Sequence, residues 1–531
     1  MNRKFESLIT GLLLLALLLI VTQWLSEVPY RQATDGADQA VLGEGVYFLP
    51  APGVYDHAVL VDLRPVHEGR SIIFTTDGSL PTLATATRYT RPVRLATDCP
   101  GVTVLRASEI VLSSRGQWEV VADDPSAVPT ASYAVGLEGK LPVLSLVGSP
   151  DDLWHEHWGV LANPWERGRD WECPVHLSFY DRGVAGDEAP DEFTIAAGLR
   201  VHDSELPDLE NVNVGGMEKL PLRLYFRNDY GPDPRLNYPL LDVPSYEHLL
   251  LLPGDRSGRW TLLHEQLATE TARDLGLRVA EGRYVRLFIN GAPWGVYRLT
   301  ERIDRFFLED HYQIQEADVV RGGRAEEGSA EAWRELLDWL AAHDLADPAN
   351  YVHLQTQINV ANFTDYAILQ LYFGFPGGDL VAVRPQGGRW FWIYGGGGAA
   401  SVRAGGYASR FAHRSEAAMA ALPGGAAEDD FALLLRALLE NPAYRADFAH
   451  RAADVLNTAL APSVMQNRVT RLAALLAEDI DAEVARWPLP ASIRPDDGDP
   501  RTVWEQNVAA LRSAFVPRRP DVLRERVAVL V

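Results

Sequence analysis

Only two of the 531 residues are cysteine, Cys99 and Cys173. That is too few for a disulfide framework, and leaves either one bridge between modules or two buried thiols, since an unpaired cysteine behaves as a small hydrophobe. Positive charge is also scarce: 49 Lys and Arg face 72 Asp and Glu, for a net charge of −23. A chain this acidic lacks the clustered cations that bind phosphate backbones, which excludes nucleic acid as the main partner. Two catalytic signatures are missing as well. There is no G-x-x-x-x-G-K-[ST] loop and no G-x-S-x-G elbow, so neither a P-loop nor an α/β-hydrolase triad is expected. His155-Glu156-His157 resembles a metal pair, but residues at i and i+2 do not share a helix face and further ligands would be needed. His202 and His264 read as ordinary strand and helix residues.

What is present begins with an apolar N-terminal run. Arg3 and Lys4 precede Leu8 to Leu25, whose centre from Leu12 to Val21 carries no polar side chain. At ~1.5 Å per residue, such a helix just spans a hydrocarbon layer of ~27–30 Å. Its apolar centre also fits a cleaved signal peptide, but Gln23, Trp24 and Leu25 are poor cleavage flanks and Trp24 suits an interface anchor. The expectation is an uncleaved signal anchor over 1–25, a polar tether over 26–45, and the bulk of the chain outside the cytoplasmic membrane. Cleavage would make the protein secreted. The length implies several further modules, at roughly 100–200 residues each.

Between residues 46 and 138, short β-type runs such as Val59–Leu63, Ser71–Thr75 and Val102–Arg106 alternate with turn residues, which predicts a small all-β sandwich. Asp77-Gly78 is good tight-turn chemistry. The stretch Ile73-Phe-Thr-Thr-Asp-Gly-Ser-Leu-Pro-Thr82, followed by Tyr89 to Leu95 and Val104 to Ala107, resembles the chitobiase/β-hexosaminidase C-terminal module. That resemblance implies an accessory domain, either a spacer or a glycan-binding unit.

The remainder, 141–531, reads as an α+β domain with a helical subregion over 424–531. Tyr284 to Ile289 and Trp294 to Leu299 are two strands joined through Asn290-Gly291, a strong hairpin signal. Ile303, Phe306 and Phe307 mark the buried face of the helix that follows Glu301. Further on, Phe431, Leu434, Leu435 and Leu438 repeat at helical spacing, as do Val464, Val469, Leu472 and Leu475 with one slip. Trp390-Phe-Trp-Ile-Tyr394 is a continuous aromatic and β-branched run, read as a buried strand, and it ends in four glycines.

In this order, Cys173 to Asp181, Leu222-Arg-Leu-Tyr-Phe-Arg227, Tyr238-Pro239, Leu251 to Asp255, Asn290-Gly-Ala-Pro-Trp-Gly-Val-Tyr-Arg-Leu-Thr-Glu-Arg-Ile-Asp304, Arg486-Trp487 and Arg519-Pro520 resemble the CotH kinase family of atypical secretory and spore-coat kinases. The resemblance implies a kinase-type fold that uses ATP and Mg²⁺. It also implies acids in two loops, and here both are altered. The first loop survives only as Gly374-Phe-Pro-Gly-Gly-Asp-Leu380, with Asp379 displaced, and the second has Gly395 and Gly397 in the aspartate positions. Glycine cannot ligate Mg²⁺, which takes hard oxygen donors. The nucleotide-side residues would be Lys219, shifted by one beside Pro221, with Arg223 and Glu301. The segment Asp203 to Asn211 carries four acids where a phosphate would approach. Asp255 and Glu301 match their family positions, though Glu301 equally fits a salt bridge with Arg286 or Arg302.

The functional expectation is therefore a membrane-anchored pseudokinase without a confident cofactor, acting on an envelope or secreted protein partner as scaffold or regulator. Two alternatives stand beside it: an active Ser/Thr kinase using Asp255, Glu301 and Asp379 with ATP and Mg²⁺, and a cell-surface glycan-binding protein acting through residues 46–138.

Overall fold

A computed structural model of the chain describes residues 40–42, 45–95, 100–121, 128–181, 192–202, 219–254, 261–373, 380–395, 430–488 and 499–530. The expected anchor over 1–25, nearly all of the tether, Cys99, Asp255, Asp379 and Gly397 lie outside them. Among the described residues, no helix is long and apolar enough to cross a membrane.

Strands β1 (Ala40–Leu42), β2 (Val46–Leu49), β3 (Gly53–Tyr55), β4 (Val59–Pro65), β5 (Ser71–Thr75), β6 (Thr87–Arg88), β7 (Val93–Leu95), β8 (Gly101–Leu112), β9 (Trp118–Val120) and β10 (Thr130–Val135) form two sheets. Their orders are β1-β2-β4-β7 and β3-β10-β8-β5-β6, with β9 beside β8. Val46, Phe48, Val61, Leu63, Leu105 and Tyr133 fill the space between them. The alternation of buried and solvent-facing residues along β4 is what a half-buried strand requires.

The second unit is a closed barrel in the order β11-β12-β13-β14-β15-β18-β17. Its strands are β11 (Val143–Gly148), β12 (Cys173–Tyr180), β13 (Glu192–Val201), β14 (Leu222–Tyr225), β15 (His248–Leu252), β17 (Gly282–Ile289) and β18 (Ala292–Glu301). Only β11 and β17 pair in parallel within it. Side chains fill the interior: Leu144, Leu177, Leu199, Leu222, Leu249, Leu287 and Leu299 all belong to one core. Asn290 and Gly291 turn the β17–β18 hairpin with φ of 48° and 79°, positive at both central positions as a type I′ turn demands.

The two units are docked on each other. A mixed core joins Val102, Val104 and Ala134 of the sandwich to Val143, Tyr180 and Phe288 of the barrel. Tyr180 donates to the Ser132 carbonyl at 2.7 Å, and the Ser132 and Ser145 hydroxyls meet at 2.9 Å. The Asp77-Gly78-Ser79 turn, closed by Asp77 accepting from the Ser79 amide at 2.9 Å, abuts the barrel hairpin so closely that a Cβ on Gly78 would stand 2.3 Å from the Asn290 side chain.

A second sheet has the order β16-β22-β21-β19-β20, from β16 (Arg278–Val279), β19 (Ala317–Arg321), β20 (Arg324–Glu327), β21 (Val381–Pro385) and β22 (Phe391–Tyr394). One face, with Val319, Val383, Phe391 and Ile393, packs on the helix at Arg305–Tyr312; the other, with Val320, Ala382 and Trp392 beside Trp390, packs on the helical layer. Burial on both faces explains why Trp390 to Ile393 are apolar without alternation.

In chain order the helices are α1 (Pro150–Trp154), α2 (His264–Asp274), α3 (Arg305–Tyr312), α4 (Glu331–Ala342), α5 (Pro348–Gln357), α6 (Val360–Phe373), α7 (Asp430–Glu440), α8 (Pro442–Asn457), α9 (Pro462–Leu476), α10 (Ile480–Arg486), α11 (Pro500–Ala510) and α12 (Val516–Leu530). The helical layer thus begins at residue 331, well before the expected 424. α6 is its centre: ten of its fourteen residues are buried, the pattern of a helix surrounded by others. Asp-Pro and Asn-Pro steps start three helices, with Asp347, Asn441 and Asp499 capping α5, α8 and α11. In α9 the expected apolar register is off by one. Val464 and Leu475 face solvent, while Met465, Val469, Leu472 and Leu476, spaced 4, 3 and 4, make the buried face.

The start of α10 holds these parts together through one helix face. Asp479, 1 % exposed, accepts from the amides of Lys140 and Leu141, and so pins the linker between sandwich and barrel. One turn on, Glu483 takes the Lys219 ammonium at 2.7 Å and the Val296 amide at 2.7 Å. A further turn on, Trp487 donates to the Trp294 carbonyl at 2.6 Å. Gly295 admits this approach, because a Cβ there would lie 2.3 Å from Glu483. The pair is buried, with Lys219 and Glu483 side chains 1 % and 9 % exposed. Removing either partner strands a charge, so Lys219→Met and Glu483→Gln are each expected to cost about 3–5 kcal/mol in urea unfolding followed by tryptophan fluorescence. The double variant is expected to cost less than their sum.

Candidate functional site

The strand β22 leads into the glycine loop, and only its first glycine, Gly395, is described. Gly395 has φ of +135°, and a Cβ there would stand 2.9 Å from the Ala280 Cβ and 3.0 Å from its amide nitrogen. The Ala280 amide also donates to the Tyr394 carbonyl at 3.1 Å. The loop position where the family resemblance expects a metal-holding aspartate is therefore closed by backbone packing. A carboxylate does not fit there, and no step through a metal ion at this loop is derived.

The expected nucleotide-side residues do not converge. Lys219 is taken by Glu483, by the Val296 carbonyl and by the Tyr297 ring 4.8 Å away. Glu301 lies five residues along β18 from Val296, some ~16 Å away at ~3.3 Å per residue. Arg223 is nearer to Glu301 but on the other face of the barrel wall. It is in register with Leu250, and Leu250 with Thr300, so Arg223 shares a face with Thr300, and Glu301, one residue on, points the opposite way. A shared site of Lys219, Arg223 and Glu301 is not what the barrel builds.

On the outer face, Arg223 sits in a nest of positive charge. It is directly opposite Arg200 on β13, and the guanidinium groups of Arg223 and Arg227 each lie 4.4 Å from the Tyr225 ring, with that of Arg200 at 5.6 Å. Arg223 is 8 % exposed, and its Nε has no hydrogen-bond partner among the described residues. Burial, then the charge of Arg302, pushes it down to about 10. Burial and four surrounding arginines, Arg223 foremost, hold His202 well below its ordinary value. Cross-strand like charges are destabilising unless something negative lies between them. Arg227 is answered by the buried Glu172 at 2.8 Å, so the excess positive charge of this face lies at Arg200 and Arg223.

Below it, Asp304 organises a polar cluster. Its carboxylate caps α3 through the amides of Phe306 (3.0 Å) and Phe307 (3.3 Å), and receives His248 Nδ1 at 2.8 Å and Arg302 at 3.2 Å. Arg302 also reaches Glu326 at 3.3 Å. Burial alone would raise the Asp304 carboxyl; hydrogen bonding from His248, the charge of Arg302 and the Phe307 amide outweigh it and hold it at about 2.

Glu301, on the inner side, pairs with neither Arg286 nor Arg302. Arg286 is engaged by Asp479 and the Glu138 carbonyl, and Arg302 by Asp304 and Glu326. Its partner is His311 of α3, whose Nε2 lies 2.9 and 3.0 Å from the two carboxylate oxygens. Nothing in the sequence around His311 signals this, because the pairing depends on where α3 lies against the barrel end. The other expected histidines are structural: His264 is buried at the start of α2, while His155 stacks on the exposed Trp158. Cys173 has no disulfide partner among the described residues, and burial in the barrel pushes its thiol up. A groove of about 400 Å³ between α3 and the ends of β19, β20 and β21 is lined by charges of both signs, Arg305 and Arg384 against Glu316, Asp318 and Glu327.

A closed seven-stranded barrel clasped by a helical layer, with a second five-stranded sheet beside it, follows a two-sheet β-sandwich. The family model for CotH kinase protein matches residues 255–523, and the chain belongs to that family. Residues 50–114 match the chitobiase/beta-hexosaminidase C-terminal domain. No curated protein matches the chain.

The Asp304 geometry fixes a pH dependence. A carboxyl that titrates at about 2 when folded and near 3.8 when unfolded favours the fold by about 2 kcal/mol above pH ~4, and this is lost as pH falls through 2. Asp304→Asn keeps the cap oxygen and removes the charge. Its stability, measured by denaturation between pH 2 and 5, is expected to fall less with acid than that of the parent.

Proposed function

We propose that this chain is a member of the CotH kinase family that has lost phosphoryl transfer and works by binding, as a scaffold or regulator at the outer face of a cytoplasmic membrane to which its N-terminal segment ties it. Gly395 carries the reading. Phosphoryl transfer needs a positioned divalent ion to neutralise the developing charge, and the protein contributes little else. At Gly395 the family's ligand position has neither a side chain nor room for one. The Lys219 ammonium, the natural counter-charge for a phosphate, is spent inside the protein on Glu483.

What remains is the Arg223 face, whose buried guanidinium supports capture of an acidic or phosphorylated group on a protein partner. The docked sandwich supports the same role, since a module packed against the barrel hairpin adds surface without adding catalytic groups.

Labelled ATP with Mg²⁺ or Mn²⁺ is expected to leave the full chain and Ser-rich or acidic acceptor proteins unlabelled. Metal-dependent labelling that disappears in Asp255→Ala would overturn the reading. In a second measurement, pyrophosphate without metal is expected to raise the melting temperature of the full chain, and to raise it less in Arg223→Gln. An equal rise in both would remove Arg223 from the binding surface.

A further inference from the structure

One mouth of the barrel is closed by the chain between β14 and β15. Leu236, Leu240, Val243 and Tyr246 of this segment join the barrel core, and Leu236 and Tyr246 form a bridge. The Tyr246 hydroxyl ties the segment down on both sides of Asp242: it accepts from the Leu241 amide at 2.7 Å and donates to the Val243 carbonyl at 2.8 Å. Asp242 is thereby fixed in its backbone while its side chain stays about half exposed. Facing it are Glu301, at the end of β18, and His311, on α3. His311 Nδ1 is 3.8 Å from the Asp242 carboxylate, and Nε2 is turned to Glu301.

One ligand atom from each of Asp242, Glu301 and His311 lies within 4.8 Å of the other two. Ligands ~2.1 Å from a tetrahedral ion are ~3.4 Å apart, so closure needs about an ångström of movement, which the exposed Asp242 side chain is free to supply. Glu301 and His311 are held by the barrel end and by α3, with side chains 5 % and 10 % exposed.

The charges around this point do not balance. Glu281 is paired with Arg273, and Asp310 with Arg235. Asp242 and Glu301 are left to share one imidazole. Burial raises both neighbouring phenols, Tyr246 and Tyr312, and Glu301 and Asp242 add to it, while the Arg278 guanidinium 4.1 Å from the Tyr312 ring opposes them there.

We propose that Asp242, Glu301 and His311 form a binding site for a divalent transition-metal ion at the closed mouth of the barrel, separate from the glycine loop after β22. One imidazole with two carboxylates is a borderline donor set, suited to Zn²⁺ or Mn²⁺ rather than to Mg²⁺, which is held through oxygen alone. Solvent beside Asp242 supplies the remaining ligand as water. The ion would add a direct link among three parts of the fold, the β14–β15 segment, the end of β18 and α3, beside the Arg235–Asp310 ion pair and the Glu301–His311 hydrogen bonds.

The test uses the full chain stripped with a chelator and titrated with ZnCl₂ in a calorimeter. One-to-one binding in the micromolar range or tighter is expected, weakened about ten- to a hundredfold by Asp242→Asn and by His311→Gln. Asp242 is half exposed, and the Tyr246 hydroxyl holds this segment through the backbones of Leu241 and Val243, so Asp242→Asn is expected to melt like the parent in the presence of chelator. Cobalt(II) in place of zinc is expected to give visible absorption from a site of low coordination number, absent in Asp242→Asn. His155→Ala/His157→Ala guards against surface imidazoles and is expected to bind as the parent does. No saturable zinc binding, or an affinity unchanged by Asp242→Asn and His311→Gln, would overturn the site, as would loss of binding in the His155/His157 variant.

Discussion

The fold depends on the buried contact between Glu483 and the pair Lys219 and Val296. A buried carboxylate and ammonium must hold each other or the interior does not tolerate either, so the first turn of α10 has one place it can dock, against β18 at Gly295. Asp479 and Trp487, one turn before and after it, then set the linker to the sandwich and the aromatic patch around Trp294. Three residues on one face of a short helix thus fix how the sandwich, the barrel and the helical layer are arranged. The same contact engages Lys219 inside the protein. Its ammonium has become part of the framework.

Much of this was legible in the sequence where the information is local. Asn290-Gly291 specifies its turn by backbone conformation alone, Asp77-Gly78 does the same in the sandwich, and the unbroken run from Trp390 to Ile393 announces a strand covered on both faces. Helix starts at Pro348, Pro442 and Pro500 follow from a capping residue and a proline in sequence. What was not legible depends on distant partners. Lys219 meets a residue more than 200 positions away, and Glu301 was read against Arg286 and Arg302 although its partner is His311, because strand parity and the placement of α3 decide which of several nearby charges it faces. In α9 the chosen apolar residues included Val464 and Leu475. The exposed positions of both show that a helix can carry apolar residues off its buried face, and that Met465 and Leu476 complete the 3.6-residue pattern better.

The family resemblance names residues without saying how the barrel divides them. Arg223 and Glu301 lie on strands separated by β15 and point to opposite faces of the barrel wall, one to the arginine-rich outer face and the other to the barrel mouth. Gly395 and Lys219 are both packed against the protein's own groups, Gly395 against Ala280 and Lys219 against Glu483.

The barrel also separates two kinds of boundary. The stretch recognisable as a CotH kinase domain begins at residue 255, between β15 and β18, whereas the sheet that contains β17 and β18 closes only with β11 to β15, all of which come earlier. A fragment cut at the recognisable boundary would keep the hairpin but leave both of its edges unpaired and Leu287 and Leu299 without the opposite wall. Heredity and folding thus divide this polypeptide at different points. The part that the family model matches is built to pair with strands that precede it.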